Sequence, residues 1–269
     1  MRSAALAVAA VTFGAITIGV IAIGVLALGT GIAAAQPTDR LLASATLQRA
    51  PDADGGTVSA AWLQSSGRNL WLAGLEHTEI GDDGWTLARI GTTRMLGARR
   101  NLIAQLDLGP ADVGGEHFVF KKAFVDATAV SGDRWYVRVS DTFVDVRPQH
   151  GHLLGTAFGW HDGKGLSMEA RAASSVAGNL DELTTAVRVD YRVSRPYLMA
   201  GVVRTISNNR LLLNVPGTST KRTVHELFAG VTVPLRGVDV AIIADTARMA
   251  GVRRDNITVA LTVPFEHGD

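Results

Sequence analysis

Residues 183–206 read LTTAVRVDYRVSRPYLMAGVVRTI. In the first arm Val187, Val189, Tyr191 and Val193 point one way, and Arg188, Asp190 and Arg192 point the other. A period of two marks a strand with one apolar and one polar face. Ser194-Arg195-Pro196 breaks the alternation and a second apolar run follows at once, so the stretch is a hairpin with a short turn. Its polarity admits two frames. A soluble barrel or sandwich turns the apolar face inward. A transmembrane barrel turns it to lipid and keeps its polar residues in the lumen.

The rest of the chain chooses between them. From residue 57 onward, segments of strand length alternate with Gly, Asp, Asn, Pro and Ser, and no helical period intervenes. The expected strands are 57–63, 68–78, 84–95, 100–108, 116–128, 133–146, 152–161, 165–176, 182–193, 197–207, 221–235, 238–249 and 255–265. Most exceed the roughly 5–6 residues usual in soluble sheets and suit the roughly 9–11 that a tilted bilayer-crossing strand needs. Tight connections (162–164, 194–196, 236–237) fall at one end, and the longest (109–115, 208–220) at the other. Outer-membrane barrels sort short turns to the periplasm and longer loops outside. They also carry even strand numbers. Counting from Arg68 gives about 12 strands, leaving 57–63 as a short periplasmic or plugging strand. Trp71, Trp135, Tyr136, Trp160, Tyr191 and Tyr197 cluster near the short-turn end, with Trp85 at the other, as an interfacial aromatic belt would.

The expected organisation is therefore a signal peptide at 1–35, a periplasmic lead-in with a short strand at 36–67, and a barrel over 68–269. Arg2 precedes a long uncharged stretch that closes on Ala33-Ala34-Ala35, a secretory pattern with cleavage expected after Ala35. The apolar run is also long enough to remain as an inner-membrane anchor. Either way the remainder leaves the cytoplasm. There are no cysteines, which removes disulfides, thiolate metal sites and a lipoprotein anchor. A net charge of +1, evenly mixed, gives no nucleic-acid face.

The strands DRWYVRVSDTFVDV (133–146), LTTAVRVDYRVS (183–194) and ITVALTVPF (257–265) resemble those of bacterial outer-membrane β-barrels. More loosely they are similar to YaiO-type barrels and to the barrels of polysaccharide-secretion proteins. The resemblance implies an up-and-down antiparallel barrel in outer-membrane lipid, inserted by the barrel-assembly machinery, and small solutes or polysaccharide as cargo. Such barrels usually end on an aromatic residue. Here Phe265 is followed by Glu266-His267-Gly268-Asp269, a displacement of that signal.

No catalytic set or cofactor motif is expected. His150 and His152 could share a metal, but His161 lies nine residues beyond His152, roughly 30 Å along one strand. His225-Glu226, with Ser207 or Ser219, is the candidate for a barrel hydrolase, the alternative to a non-catalytic barrel that acts as a passive channel or in secretion at the envelope. A soluble periplasmic binding barrel is the third reading. The strongest lead is the inward charge set Arg138, Glu169, Arg171, Arg188, Asp190 and Arg192, with Lys121, Arg204, Asp239 and Asp245 as further candidates. It reads either as a ladder of ion pairs filling a narrow barrel or as a constriction that selects solutes.

Overall fold

The computed structural model describes residues 39–51, 54–97, 100–194, 196–208, 221–249 and 251–265. Fourteen antiparallel strands form one closed barrel. They are β1 (Asp39–Arg49), β2 (Gly55–Ser66), β3 (Asn69–Ile80), β4 (Asp83–Gly97), β5 (Arg100–Val113), β6 (Glu116–Ser131) and β7 (Trp135–Val146). The second half is β8 (Gln149–His161), β9 (Leu166–Gly178), β10 (Glu182–Arg192), β11 (Tyr197–Ser207), β12 (Arg222–Leu235), β13 (Val238–Met249) and β14 (Val252–Phe265). Each strand pairs with its sequence neighbours, and β1 pairs with β14 from Asp39↔Phe265 to Arg49↔Asp255. Closure leaves no strand edge unpaired, the condition for a sheet to cross a membrane.

The described residues form fourteen strands, not about twelve. Both extra strands come from the stretch expected to be a lead-in. Thr57–Leu63 is part of the full-length β2, and 39–49 is β1, the strand that closes the barrel. Their alternation was hard to see because it sets Ala and Leu against Ser, Thr and Gln with little contrast. Inside, it becomes a row of hydroxyl contacts: Ser44–Ser59 at 2.7 Å, Thr46–Thr258 at 2.8 Å and Thr57–Thr78 at 2.7 Å. The signal-peptide reading of 1–35, the residues after Phe265, and Ser219 lie outside the described residues.

The two rims differ. The near rim carries the barrel ends Asp39 and Phe265 and the turns at 67–68, 132–134, 162–165, 193–196 and 236–237. Arg236 and Gly237 both have positive φ (51° and 87°), the backbone of a two-residue hairpin turn. The far rim carries the 208–221 connection, as expected. It does not carry a long 109–115 loop. β5 runs on to Val113, and Gly114-Gly115, with φ of 61° and 75°, makes another two-residue turn.

The outward face carries a broad apolar band. Leu75, Ile90, Leu106, Leu154, Phe158, Val202, Leu227, Ile242, Ile257 and Val259 are all exposed, with Leu75 at 61%. Trp62, Trp71, Trp135 and Tyr191 extend it at the near rim, where amphipathic rings suit a membrane interface. Tyr136 and Tyr197 do not belong to that belt. They lie on the inward face, bonded to charged neighbours. Above the band, toward the far rim, the outward face turns polar.

Candidate functional site

The barrel interior is the candidate site, and it is built in two layers. The first is a charged network. Arg89 on β4 is 4% exposed and reaches Asp107 on β5 at 2.9 Å and Glu76 on β3 at 3.1 Å. Gln105 donates to the same Asp107 carboxylate at 2.9 Å. Lys122, one strand further on, lies in the field of Asp107, Glu76 and Glu182. A guanidinium held by two carboxylates offsets much of the desolvation that a lone buried charge would cost.

A second group joins β6 to β9. Arg138 Nε donates to Asp126 at 2.7 Å and Nη1 lies 3.5 Å from Glu169. The Tyr136 hydroxyl donates to Glu169 at 2.6 Å. Arg171 donates to Ser140 Oγ at 3.2 Å and sits over the Phe124 ring, 5.9 Å from its centroid. Tyr136 fits because its register partner is Gly159; a Cβ there would fall 2.0 Å from the phenol ring. A third group is Arg188, which donates to Asp190 at 2.6 Å and to the Tyr197 hydroxyl at 3.0 Å.

The structure thus places Arg138, Glu169, Arg171, Arg188 and Asp190 inward and brings the first three together. Arg192 is exposed at the near rim, where its backbone N–H donates to Gly165. Asp245 is inward and buried, bonded to Asn256 Nδ2 at 2.6 Å, whereas Asp239 is exposed. Lys121 and Arg204 are not in the lumen. Both sit on the outward face, Lys121 paired with Asp145 at 3.0 Å. Parity explains the error: the neighbours Phe120 and Val203 are the buried ones.

The second layer is apolar and lies at the far rim on β3 to β8. Ile80, Trp85, Leu87, Ala111, Val113, Phe120, Val144, Val146 and Leu153 pack together inside the barrel, and Leu180 from the β9–β10 connection caps them. This cap, with Arg89, Glu76, Asp107, Asp126 and Tyr136, is what sequence reasoning missed. In β4 the inward residues run Trp85, Leu87, Arg89, changing from apolar to charged within one strand. Outside, the change runs in reverse, from Thr86 to Ile90. On β3 to β8 the far rim is therefore wet outside and dry inside, and the wall below it is the opposite; on β10 and β11 the inner face of the far rim stays polar, with Glu182, Thr184, Thr205 and Ser207.

The other candidates separate. His225 is exposed on the outward face and Glu226 faces inward, so they cannot act as a pair. Ser207 is buried and donates to Glu182 at 3.0 Å. His150 and His152 lie outward on β8, and His152 pairs with Asp141 at 3.2 Å. Among the described residues no three His, Asp or Glu side chains could hold a metal. At the near rim Asp162 accepts backbone N–H bonds from Lys164 (2.6 Å), Leu166 (3.0 Å) and Gly165 (3.0 Å). These bonds, led by Lys164, hold its carboxyl below the usual aspartate range.

No protein-family model matches the chain, and no curated protein matches it in sequence. Solved structures do match its fold. The CymD monoaromatic hydrocarbon channel gives a TM-score of 0.57 at 8% identity, over 86% of this chain and 89% of that one. The toluene transporter TodX of Pseudomonas putida gives 0.54 at 9% identity, over 94% of each. A bacterial polysaccharide outer membrane secretin gives 0.50 at 8% identity, over 85% of this chain and 98% of that one. At these identities the likeness is one of fold alone: an all-β, closed antiparallel barrel. It does not single out the YaiO type.

Proposed function

We propose that this chain is a non-catalytic barrel of the bacterial outer membrane, exported by the segment at 1–35 and inserted by the barrel-assembly machinery, and that it acts as a passive channel. The observation that carries the reading is the polarity of the wall: apolar residues outside over the lower barrel, interlocked charges within. A soluble binding barrel would reverse it. Separation of His225 from Glu226 removes support for a hydrolase. The apolar cluster on the β3 to β8 side of the far mouth supports small, weakly polar solutes, because an ion pressed against that side would lose hydration without a compensating partner. The channel neighbours, two of them hydrocarbon carriers by name, support the same reading. The finer YaiO-type likeness, and secretion of polysaccharide, rest on strand pattern alone.

The test is membrane fractionation with gel mobility before and after boiling, then conductance in a planar bilayer. The expected result is outer-membrane recovery, a heat-dependent mobility shift, and ion conductance well below that of an open porin. Recovery in the soluble periplasm would overturn the membrane reading. Large, steady ion currents would overturn the dry mouth.

A further inference from the structure

The polar outward face of the far rim is not uniform. On β3 to β8 its charges come as neighbouring pairs. Glu79 lies beside His77 at 3.3 Å, Asp112 beside His117 at 3.2 Å, Asp145 beside Lys121 at 3.0 Å and Asp141 beside His152 at 3.2 Å. On the opposite side of the barrel the pattern changes. Arg204 on β11 is the register partner of His225 on β12, His225 of Arg248 on β13, and Arg248 of Arg253 on β14. All four are exposed. Cross-strand partners stand about 5 Å apart, so three arginines and a histidine form one row across four strands. Arg49 on β1 continues it opposite Asp255. Among the described residues Asp255 is the single acid on the outward face of these five strands toward the far rim, Asp39 lying at the near rim, and it already accepts a 2.9 Å bond from Arg253.

Like charges directly opposite one another destabilise a sheet, and Arg248 opposite Arg253 is such a pair. An anion that spans the row removes that repulsion and gains charge-assisted hydrogen bonds. The surface below the row says what kind of anion. On the same strands, one or a few outward positions nearer the membrane, lie Val202, Leu227, Ile242, Ile257 and Val259, all exposed. A line of guanidinium groups above an apolar strip matches an amphiphile with phosphates at its head and acyl chains beneath.

We propose that Arg204, His225, Arg248 and Arg253, with Arg49, form a binding surface for phosphate-bearing lipid of the outer leaflet. The inference rests on the outer-membrane reading for its orientation. The acyl chains lie along β11 to β14 and the headgroup phosphates lie across the row. Guanidinium suits this task because its planar donors engage phosphate oxygens two at a time.

The test uses the full barrel refolded into vesicles of neutral lipid, with its heat-dependent mobility confirming the fold. Bisphosphorylated lipid A is then added, and its retention after repurification is compared with that of the same lipid stripped of phosphate. The expected result is retention of the phosphorylated form, weakening with salt as ionic contacts do. Arg248→Gln with Arg253→Gln should reduce retention about tenfold, and the two Lys replacements should restore much of it. Equal retention of both lipids by the unaltered barrel overturns the proposal, whatever the variants do. So does unchanged retention by a folded double Gln variant. Inorganic phosphate is the second arm; if it displaces the lipid at equal phosphate concentration, the row is a free-anion site and the lipid assignment falls. A barrel that fractionates with the outer membrane yet ignores lipid phosphate would sink this inference alone. One recovered in the periplasm would sink the reading beneath it.

Discussion

Arg89 is the residue on which the inner network turns. It is bonded to Glu76 and Asp107, and all three are buried. Arg89→Met would leave two carboxylates facing each other without their cation. Breaking a buried pair from one side costs about 3–5 kcal/mol. The expected outcome is a marked fall in the denaturant midpoint of the refolded barrel, largely recovered when Glu76→Gln and Asp107→Asn are added; no fall would show the triad to be idle. Trp85 makes the opposite case. Its indole Nε1 is buried with no hydrogen-bond partner among the described residues. Trp85→Phe removes an unsatisfied donor but also three buried ring atoms, so relief and cavity oppose each other and stability should fall by no more than about 2 kcal/mol, less than a loss of packing alone would cost. Asp162 gives a pH effect with a defined sign. Its folded pKa is depressed by backbone N–H donors, so its stabilisation is present above the ordinary aspartate value, about 3.9. It is lost as pH falls through the lower folded value. Stability of the native barrel should therefore decline below about pH 4 relative to Asp162→Asn, and the two curves should converge at the acid end.

A strand here is a vertical section through the barrel, and β4 shows why some sections were legible and others were not. In β10 one polarity holds from end to end: Val187 and Tyr191 outside, Arg188 and Asp190 inside. That strand, and β14 with Ile257, Val259, Leu261 and Val263 exposed, could be read from alternation alone. In β4 the sense of the alternation reverses between Leu87 and Arg89, because the far third of the wall stands above the apolar band. A rule that assigns one face per strand averages the two and sees neither. β1 failed for another reason: Ala, Ser and Thr differ too little in hydropathy to mark a face, and only closure with β14 shows which way they point. Tyr136 was legible as an aromatic near a turn but not as an inward residue, since what decides it is the space over Gly159 on the next strand. The same view of β3 and β4 predicts a depth dependence. Leu75→Arg lies in the apolar band and should cost about 2–4 kcal/mol in refolding into vesicles, whereas Thr86→Arg, above the band, should cost about 0–1. Equal costs would mean that the band does not face lipid.

At the scale of the whole barrel, the proposed channel meets two inner layers in series along its β3 to β9 side. A barrel of fourteen strands lies between the filled 8-stranded kind and the open 16-stranded kind, so closure alone does not fix permeability. The side chains do. A solute entering from the far rim meets Trp85, Phe120, Val146 and Leu153 before it meets Arg89, and near the other rim it meets Arg138, Tyr136 and Arg188. If the cap sets the first limit, Trp85→Ala with Phe120→Ala should admit solutes and ions that the native barrel excludes. Each change removes a large buried side chain at about 3–5 kcal/mol, so the variant is measured only after its heat-dependent mobility shows a closed barrel. Liposome swelling with a size series of neutral solutes should then show a higher size limit, and conductance should rise. If swelling and conductance stay at native levels in the folded variant, the limit lies in the charged layer. Tyr136→Phe with Glu169→Gln, which loosens the Arg138 group without adding volume, would then be the change that raises both.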